Sequence, residues 1–234
     1  MSEMTDSLHG IHFPNESAEY RAARNELLLA EQVLRRQVEA VAALRRALPA
    51  GGEIPENYGF EEVAFGGVAS PRRVRFSELF GDKETLVAYS FMYGPEMAEP
   101  CPACSSMLDG LNGQAPHVGP RASLVVIAKS PPERIRAFAS ARGWDRLRLF
   151  SSAGTTYNRD YRGETADGAQ RPALNIFTRR DGSVRHFTCS ELMFVSSEPG
   201  QDPRHIDLIW PLWNVLDMTP EGRGGNWRPK LTYV

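Results

Sequence analysis

Between positions 17 and 48 the apolar residues recur at helical spacing: Leu27, Ala30, Leu34, Val38, Val41 and Leu48. Arg24, Glu31, Arg35, Gln37 and Arg45 fill the other faces. The spacing predicts one long helix from about Ser17 to Leu48. Asn15 or Ser17 supplies a cap, and Pro49, Gly51 and Gly52 end the helix. Residues 1–14 read as a loose tail, and 49–58, rich in Pro and Gly, as a linker. The pattern then changes period. Short strands are expected near 60–65 and 73–76, followed by a turn at 75–81. The compact run Thr85–Phe91 has the look of a buried central strand. A helix is expected from about Pro102 to Leu111, a second buried strand over 122–128, and a helix from Pro131 to about Gly143. A further strand falls at 147–150, and 151–171 shows no pattern. A strand from Ala173 to Phe177, a turn at Asp181-Gly182 and a return strand from Val184 to Cys189 form a hairpin. The last apolar pattern, 205–217, predicts a helix capped by Asp202 and kinked at Pro211.

Strand–helix–strand units impose parallel pairing, and the hairpin adds antiparallel strands. The expectation is an α/β fold: a mixed β-sheet with helices on both faces, plus the long N-terminal helix. Residues 1–50 form the helical extension and 51–234 the sheet domain. The extension's apolar stripe, Leu27 to Val41, must lie against its own domain or a second copy, so a homodimer through this helix is one expectation.

Composition narrows the function classes. With 234 residues, 41% hydrophobic and 24% charged, the chain is an ordinary globular one. Its net charge of −2 gives little pull toward nucleic acid or an anionic membrane, and neither is expected as a partner. No stretch approaches the roughly 20 apolar residues of a membrane span, and no signal peptide is visible. Three cysteines, an odd number, exclude a disulfide-framework secreted domain; the expected setting is the cytoplasm.

The sharpest local feature is Cys101-Pro102-Ala103-Cys104, just after a buried strand and opening a helix. Helix N-terminal N–H groups and the helix dipole stabilise an anion, so they lower a thiol's pKa there. Cys104 stands one turn on and can fold back to the same end. Such a pair can open and close as a disulfide, Cys101 attacking and Cys104 resolving. Two other readings stay open: structural cysteines in a non-enzymatic, dimeric binding module, and a metal site. For a metal, Cys189, His117 and His186 are the remaining candidates, and they make no second half of a zinc motif. No phosphate-cradling loop, catalytic serine signature or dinucleotide fingerprint is present, so no cofactor is called for.

Element order and motif together resemble the thioredoxin fold. The strings Phe91-Met92-Tyr93-Gly94-Pro95, Cys101-Pro102-Ala103-Cys104-Ser105 and Leu216-Asp217-Met218-Thr219-Pro220-Glu221-Gly222-Arg223 resemble a bacterial thioredoxin-like family, domain of unknown function 899. The Leu- and Arg-rich N-terminal helix is similar too, so the resemblance covers about residues 24–234. It implies a predicted dithiol-disulfide oxidoreductase acting on a protein or small-molecule disulfide. It also implies a cis-proline facing the dithiol; Pro172 stands at that place, with Arg171 beside it as a positive charge that favours thiolate or binds an acidic partner. Pro100, immediately before the first cysteine, completes the substrate-binding expectations.

The sequence departs from thioredoxin itself. Pro100 replaces the usual Trp, and Pro102-Ala103 lies between the cysteines where Gly-Pro is usual. The buried Asp that accepts the resolving thiol's proton aligns with Ser90, which cannot act as a base; Glu96 and Glu99 read as exposed carboxylates. A peroxiredoxin needs Pro and Thr seven and three residues before its peroxidatic cysteine. Gly94 and Ala98 precede Cys101, and Met97 and Cys101 precede Cys104, so peroxidase activity is disfavoured. Cys189 reads as a small buried apolar residue, and Trp210 and Trp213 as packing residues.

Overall fold

The computed structural model describes residues 7–65, 72–196, 198–199, 207–224 and 227–233. The chain divides into two compact units at Pro49/Ala50. In the first, Ser17 caps helix α1, Ala18–Arg46, by accepting from the Tyr20 N–H at 3.1 Å. Residues 7–16 are not the loose tail expected. Arg24 lies over the Phe13 ring at 4.6 Å, and Glu16 is ion-paired with Arg21. That bond to Arg21 holds the Glu16 carboxyl down at about 2. Leu27, Leu34, Val38 and Val41 on α1 are exposed.

The second unit carries the sheet. Its strands are β1 (Gly59–Glu62), β2 (Arg73–Arg75), β3 (Thr85–Phe91), β4 (Ser123–Ala128), β5 (Arg148–Ser151), β6 (Ala173–Arg180) and β7 (Ser183–Cys189). Their order is β2-β1-β5-β4-β3-β6-β7. Strands β3, β4 and β5 run parallel because helices α2, Pro102–Val118, and α3, Pro132–Arg142, carry the chain back between them. Strands β6 and β7 add the antiparallel side, with Ala88 opposite Asn175 and Ser90 opposite Ala173. The β4-β3-β6-β7 core, with a helix between the first two in sequence, is the thioredoxin arrangement. All six residues of β4 are buried, as a central strand requires.

Alternation along β3 divides the interior. Tyr89 and Phe91 face α2 and α3, packing with Met107, Leu108, Ile135 and Trp144. Leu86 and Ala88 face the other way, toward an aromatic cluster of Tyr58, Phe60, Phe76, Tyr157 and Phe177. Helices cover both faces, unequally. Among the described residues the second face carries short pieces, a 3₁₀ turn at Phe76–Phe80 and helix α4, Tyr157–Asp160, the latter within the stretch that showed no pattern.

The hairpin turn is as expected, with Asp181 and Gly182 both at positive φ (51° and 78°). The terminal pattern is broken rather than kinked: a 3₁₀ turn at Asp207–Ile209 precedes α5, Pro211–Leu216. Pro211 has no N–H to continue a helix and opens a new one instead. The Asp202 cap lies outside the described residues. Arg223 binds Asp207 and Asp217, each at 2.6 Å, and stacks on Trp213, which ties this segment together, while Trp210 donates to the Ser106 hydroxyl on α2 at 3.3 Å.

Residues 49–58 are more than a linker. Arg185 donates to the Gly51 carbonyl, and Glu53 bridges to Arg185 in β7. A Cβ on Gly51 would lie 1.9 Å from the His186 carbonyl oxygen. Gly51→Ala is therefore expected to destabilise the unit by about 1–3 kcal/mol, the usual cost of overpacking, read as a lower urea midpoint at unchanged slope.

Candidate functional site: a dithiol at a helix N-terminus

Residues 92–100 leave β3 as a loop and return to its end. The Cys101 N–H donates to the Met92 carbonyl at 3.0 Å, setting Cys101 as the N-cap of α2. Pro102 takes the first helical position, where its missing N–H loses nothing. Ser105 locks the turn: its N–H and its hydroxyl both donate to the Cys101 carbonyl, at 3.0 and 2.9 Å. Cys101 is half-buried and Cys104 buried; both are free thiols.

The two sulfurs differ electrostatically. The Cys104 thiol hydrogen-bonds to Cys101 and is the main reason the Cys101 pKa falls to about 6, against the opposing effect of burial. The Cys101 sulfur makes no capping hydrogen bond of good geometry, yet the amides of Cys104 and Ala103 lie close enough to favour its thiolate. Cys104 moves the other way. Its bond to the Cys101 sulfur and its burial hold it protonated well above the ordinary thiol range. One sulfur is an anion near neutral pH and the other a buried proton donor.

Beneath Cys104 lies Tyr89, fully buried. Its hydroxyl has no hydrogen-bond partner of good geometry, while its proximity to the Cys104 sulfur favours that thiolate. Ser90, aligned by resemblance with the proton-accepting Asp, alternates to the opposite face, beside Tyr157 and Gly163, and does not meet the dithiol. Glu96 and Glu99 are exposed.

Arg134, at the start of α3, was not singled out in the sequence. Its guanidinium donates to the carbonyls of Pro95, Met97 and Ala98 and stacks on Tyr93, 4.8 Å from the ring centre. It thereby pins the loop that delivers Cys101. Arg134→Ala is expected to lower stability by about 1–3 kcal/mol and to speed amide exchange across residues 97–101.

Pro100 is buried at the entry to the motif. Pro172 is half-buried and opens β6, and its expected cis bond is corrected: no peptide bond among the described residues is cis. Glu164 and Gln170 pair across a short loop, and the Arg171 N–H donates to the Gly163 carbonyl at 2.8 Å. These two contacts fix the chain just before β6. Arg171 is exposed. The register Ser90–Ala173 puts Pro172 at the β3 end from which the Cys101 loop departs. Cys189 is half-buried rather than buried and lines a cavity on the other face. Among the described residues no cluster of three metal-ligating side chains occurs, and no helix is long and apolar enough to cross a membrane.

Residues 11–233 match the family described as bacterial protein of unknown function, DUF899. The chain belongs to that family. No curated protein matches it. Among solved structures, this DUF899 member is similar to peroxidoxin BcpB from Mycobacterium tuberculosis at 17% identity. That match covers 72% of this chain and 98% of the other, with a TM-score of 0.45. A 2-Cys peroxiredoxin of Plasmodium vivax matches at 18% identity over 72% and 96% of the two chains, TM-score 0.45. The exposed lipoprotein thioredoxin Etrx1 of Streptococcus pneumoniae matches at 10% identity over 67% and 99%, TM-score 0.39. Strand order and crossovers, rather than these likenesses, carry the thioredoxin-like assignment of the DUF899 chain.

Proposed function

We propose that Cys101 and Cys104 act as a thiol–disulfide couple on a protein or small-molecule disulfide. The observation that carries this reading is the pairing of a depressed Cys101 thiol with a buried, protonated Cys104 at one helix end. Cys101 thiolate attacks one sulfur of the substrate. The substrate S–S bond breaks, a Cys101–substrate disulfide forms, and the first thiolate leaves. Cys104 then loses its proton and attacks the Cys101 sulfur. The mixed disulfide breaks, the Cys101–Cys104 bond forms, and the departing thiolate takes up a proton. The substrate is reduced by two electrons and the pair oxidised by two; in a reducing cytoplasm, cellular thiols restore the dithiol.

Tyr89 fits the resolving step. Burial holds its phenol neutral, so it cannot serve as a base, but its unpartnered O–H can donate to the Cys104 thiolate as that anion forms. Tyr89→Phe removes one buried hydroxyl without a partner. It is expected to leave the reduced protein as stable as before, or more so, and to slow resolution about tenfold, the scale of one hydrogen bond to a charged group. Melting of the reduced protein together with the lifetime of the mixed disulfide checks both. Pro172 and Pro100 border the approach to Cys101, and Arg171 offers a cation to an acidic partner.

The direct test equilibrates the protein with glutathione mixtures and counts free thiols by alkylation and mass. The reading expects Cys101 and Cys104 to lose their hydrogens together at one midpoint. It is overturned if both stay alkylatable throughout.

A second copy is the proposed partner of α1. Leu27, Leu34 and Val41 on α1 repeat every seven residues and are exposed, the spacing of one seam position of paired helices. Light scattering of the full chain and of Leu34→Glu tests this; a monomer in both would remove the idea.

A further inference from the structure

The face of the sheet away from the dithiol holds a cavity of about 560 Å³, within the ~300–1,000 Å³ range of small-molecule sites. Its floor depends on an irregularity in β7. His186 and Cys189 are three residues apart, and a period of two would turn them to opposite faces. The β6–β7 register slips by one residue between Ile176–Thr188 and Phe177–His186. That bulge brings His186 (beside Phe177) and Cys189 (opposite Asn175) to the same face.

The imidazole there is fixed. Asn175 donates from Nδ2 to the Tyr161 carbonyl at 3.2 Å, so its Oδ1 faces His186 Nε2 at 3.0 Å. Nε2 therefore carries the hydrogen and Nδ1 keeps its lone pair. Burial lowers the His186 pKa and keeps the ring neutral. Tyr161 packs 5.6 Å from the ring, centre to centre. Near Cys189 lies the hydroxyl of Tyr157. It and Ser90 are fully buried and lie close to each other, and neither hydroxyl makes a hydrogen bond of good geometry.

Two opposite charges edge the cavity. Glu191 and Arg162 are exposed, and neither side chain forms an ion pair among the described residues. The other carboxylates of the lining are engaged: Glu53 with Arg185, and Asp160 with Tyr58 and Thr156. Tyr161, Phe194 and Val195 supply apolar wall.

We propose that this cavity binds a small zwitterion of the amino-acid type. Its carboxylate pairs with Arg162, its ammonium with Glu191 and His186 Nδ1, and its apolar side chain lies against Tyr161 and Phe194. A ligand with only one charge would forgo one of these two ion pairs, which sets the selectivity. The site is independent of the thiol chemistry.

Titration calorimetry of the full chain tests it with L-phenylalanine, L-leucine, 2-phenylethylamine and 3-phenylpropionate. At least one amino acid should bind, about tenfold or more tighter than either half-charged probe. Glu191→Gln should weaken the amino acid about tenfold without affecting phenylpropionate, and Arg162→Met should do so without affecting phenylethylamine. Binding should persist in Cys101→Ser. Absence of binding by both amino acids, equal binding of a half-charged probe, or indifference to both substitutions overturns the proposal.

Discussion

Replacing Cys104 with Ala should stop turnover and leave Cys101 locked to its substrate. Without a second thiol, the mixed disulfide has no internal nucleophile to release it. The same change should blunt the first step. Cys104 is the main support of the Cys101 thiolate, whose pKa is about 6, so about nine-tenths of Cys101 is ionised at pH 7. A return to an ordinary ~8.5 would leave a few hundredths ionised. The helix amides remain, so the alkylation rate at pH 7 should fall between several-fold and about thirtyfold. Cys104→Ser separates the two effects. A hydroxyl still donates to Cys101 and should preserve its low pKa, but it cannot resolve. Trapping by mass and a pH series of alkylation rates read both variants. Equal Cys101 pKa values in the Ala variant and the unaltered protein would show that the thiol contact does not hold the anion.

Cys101→Ser should reduce disulfide exchange to the uncatalysed background, because a serine hydroxyl is a weak nucleophile near neutral pH. In the unaltered protein the dependence on pH follows from the same group. A depressed thiol is reactive above its pKa, so the rate should be nearly flat above pH 7. It should then fall as pH drops through about 6, losing close to tenfold per unit below that. Cys104 is held protonated, so it contributes no second attacking thiol in the neutral range. If Cys101→Ser kept its turnover, or the rate kept rising up to pH 9, Cys101 would not be the attacking thiol.

Much of this site was legible along the chain. The run Thr85–Phe91 is β3, and Cys101-Pro102 opens α2, because burial and the proline at the first turn are local signals. Tyr89 was within reach of the same reasoning: alternation groups it with Phe91. The resemblance to thioredoxin drew attention to Ser90 instead, and Ser90 faces away from the dithiol. Arg134 left no sequence signal. It acts on carbonyls 36 to 39 residues away, and backbone acceptors have no signature in side-chain pattern.

The sequence by itself determined where the sheet strands and the helices α1, α2 and α3 lie, that two cysteines share a helix start, and that a long helix carries an apolar stripe. These follow from period, capping and turn chemistry, which act over a few residues. Tertiary structure decided the rest. It chose which face of β3 meets Cys104 and carried Arg134 to the loop. It left the bond before Pro172 trans, and it set His186 and Cys189 side by side through a slip in strand register. Each depends on pairing between distant segments, whose register is set by packing of the whole sheet rather than by local propensity.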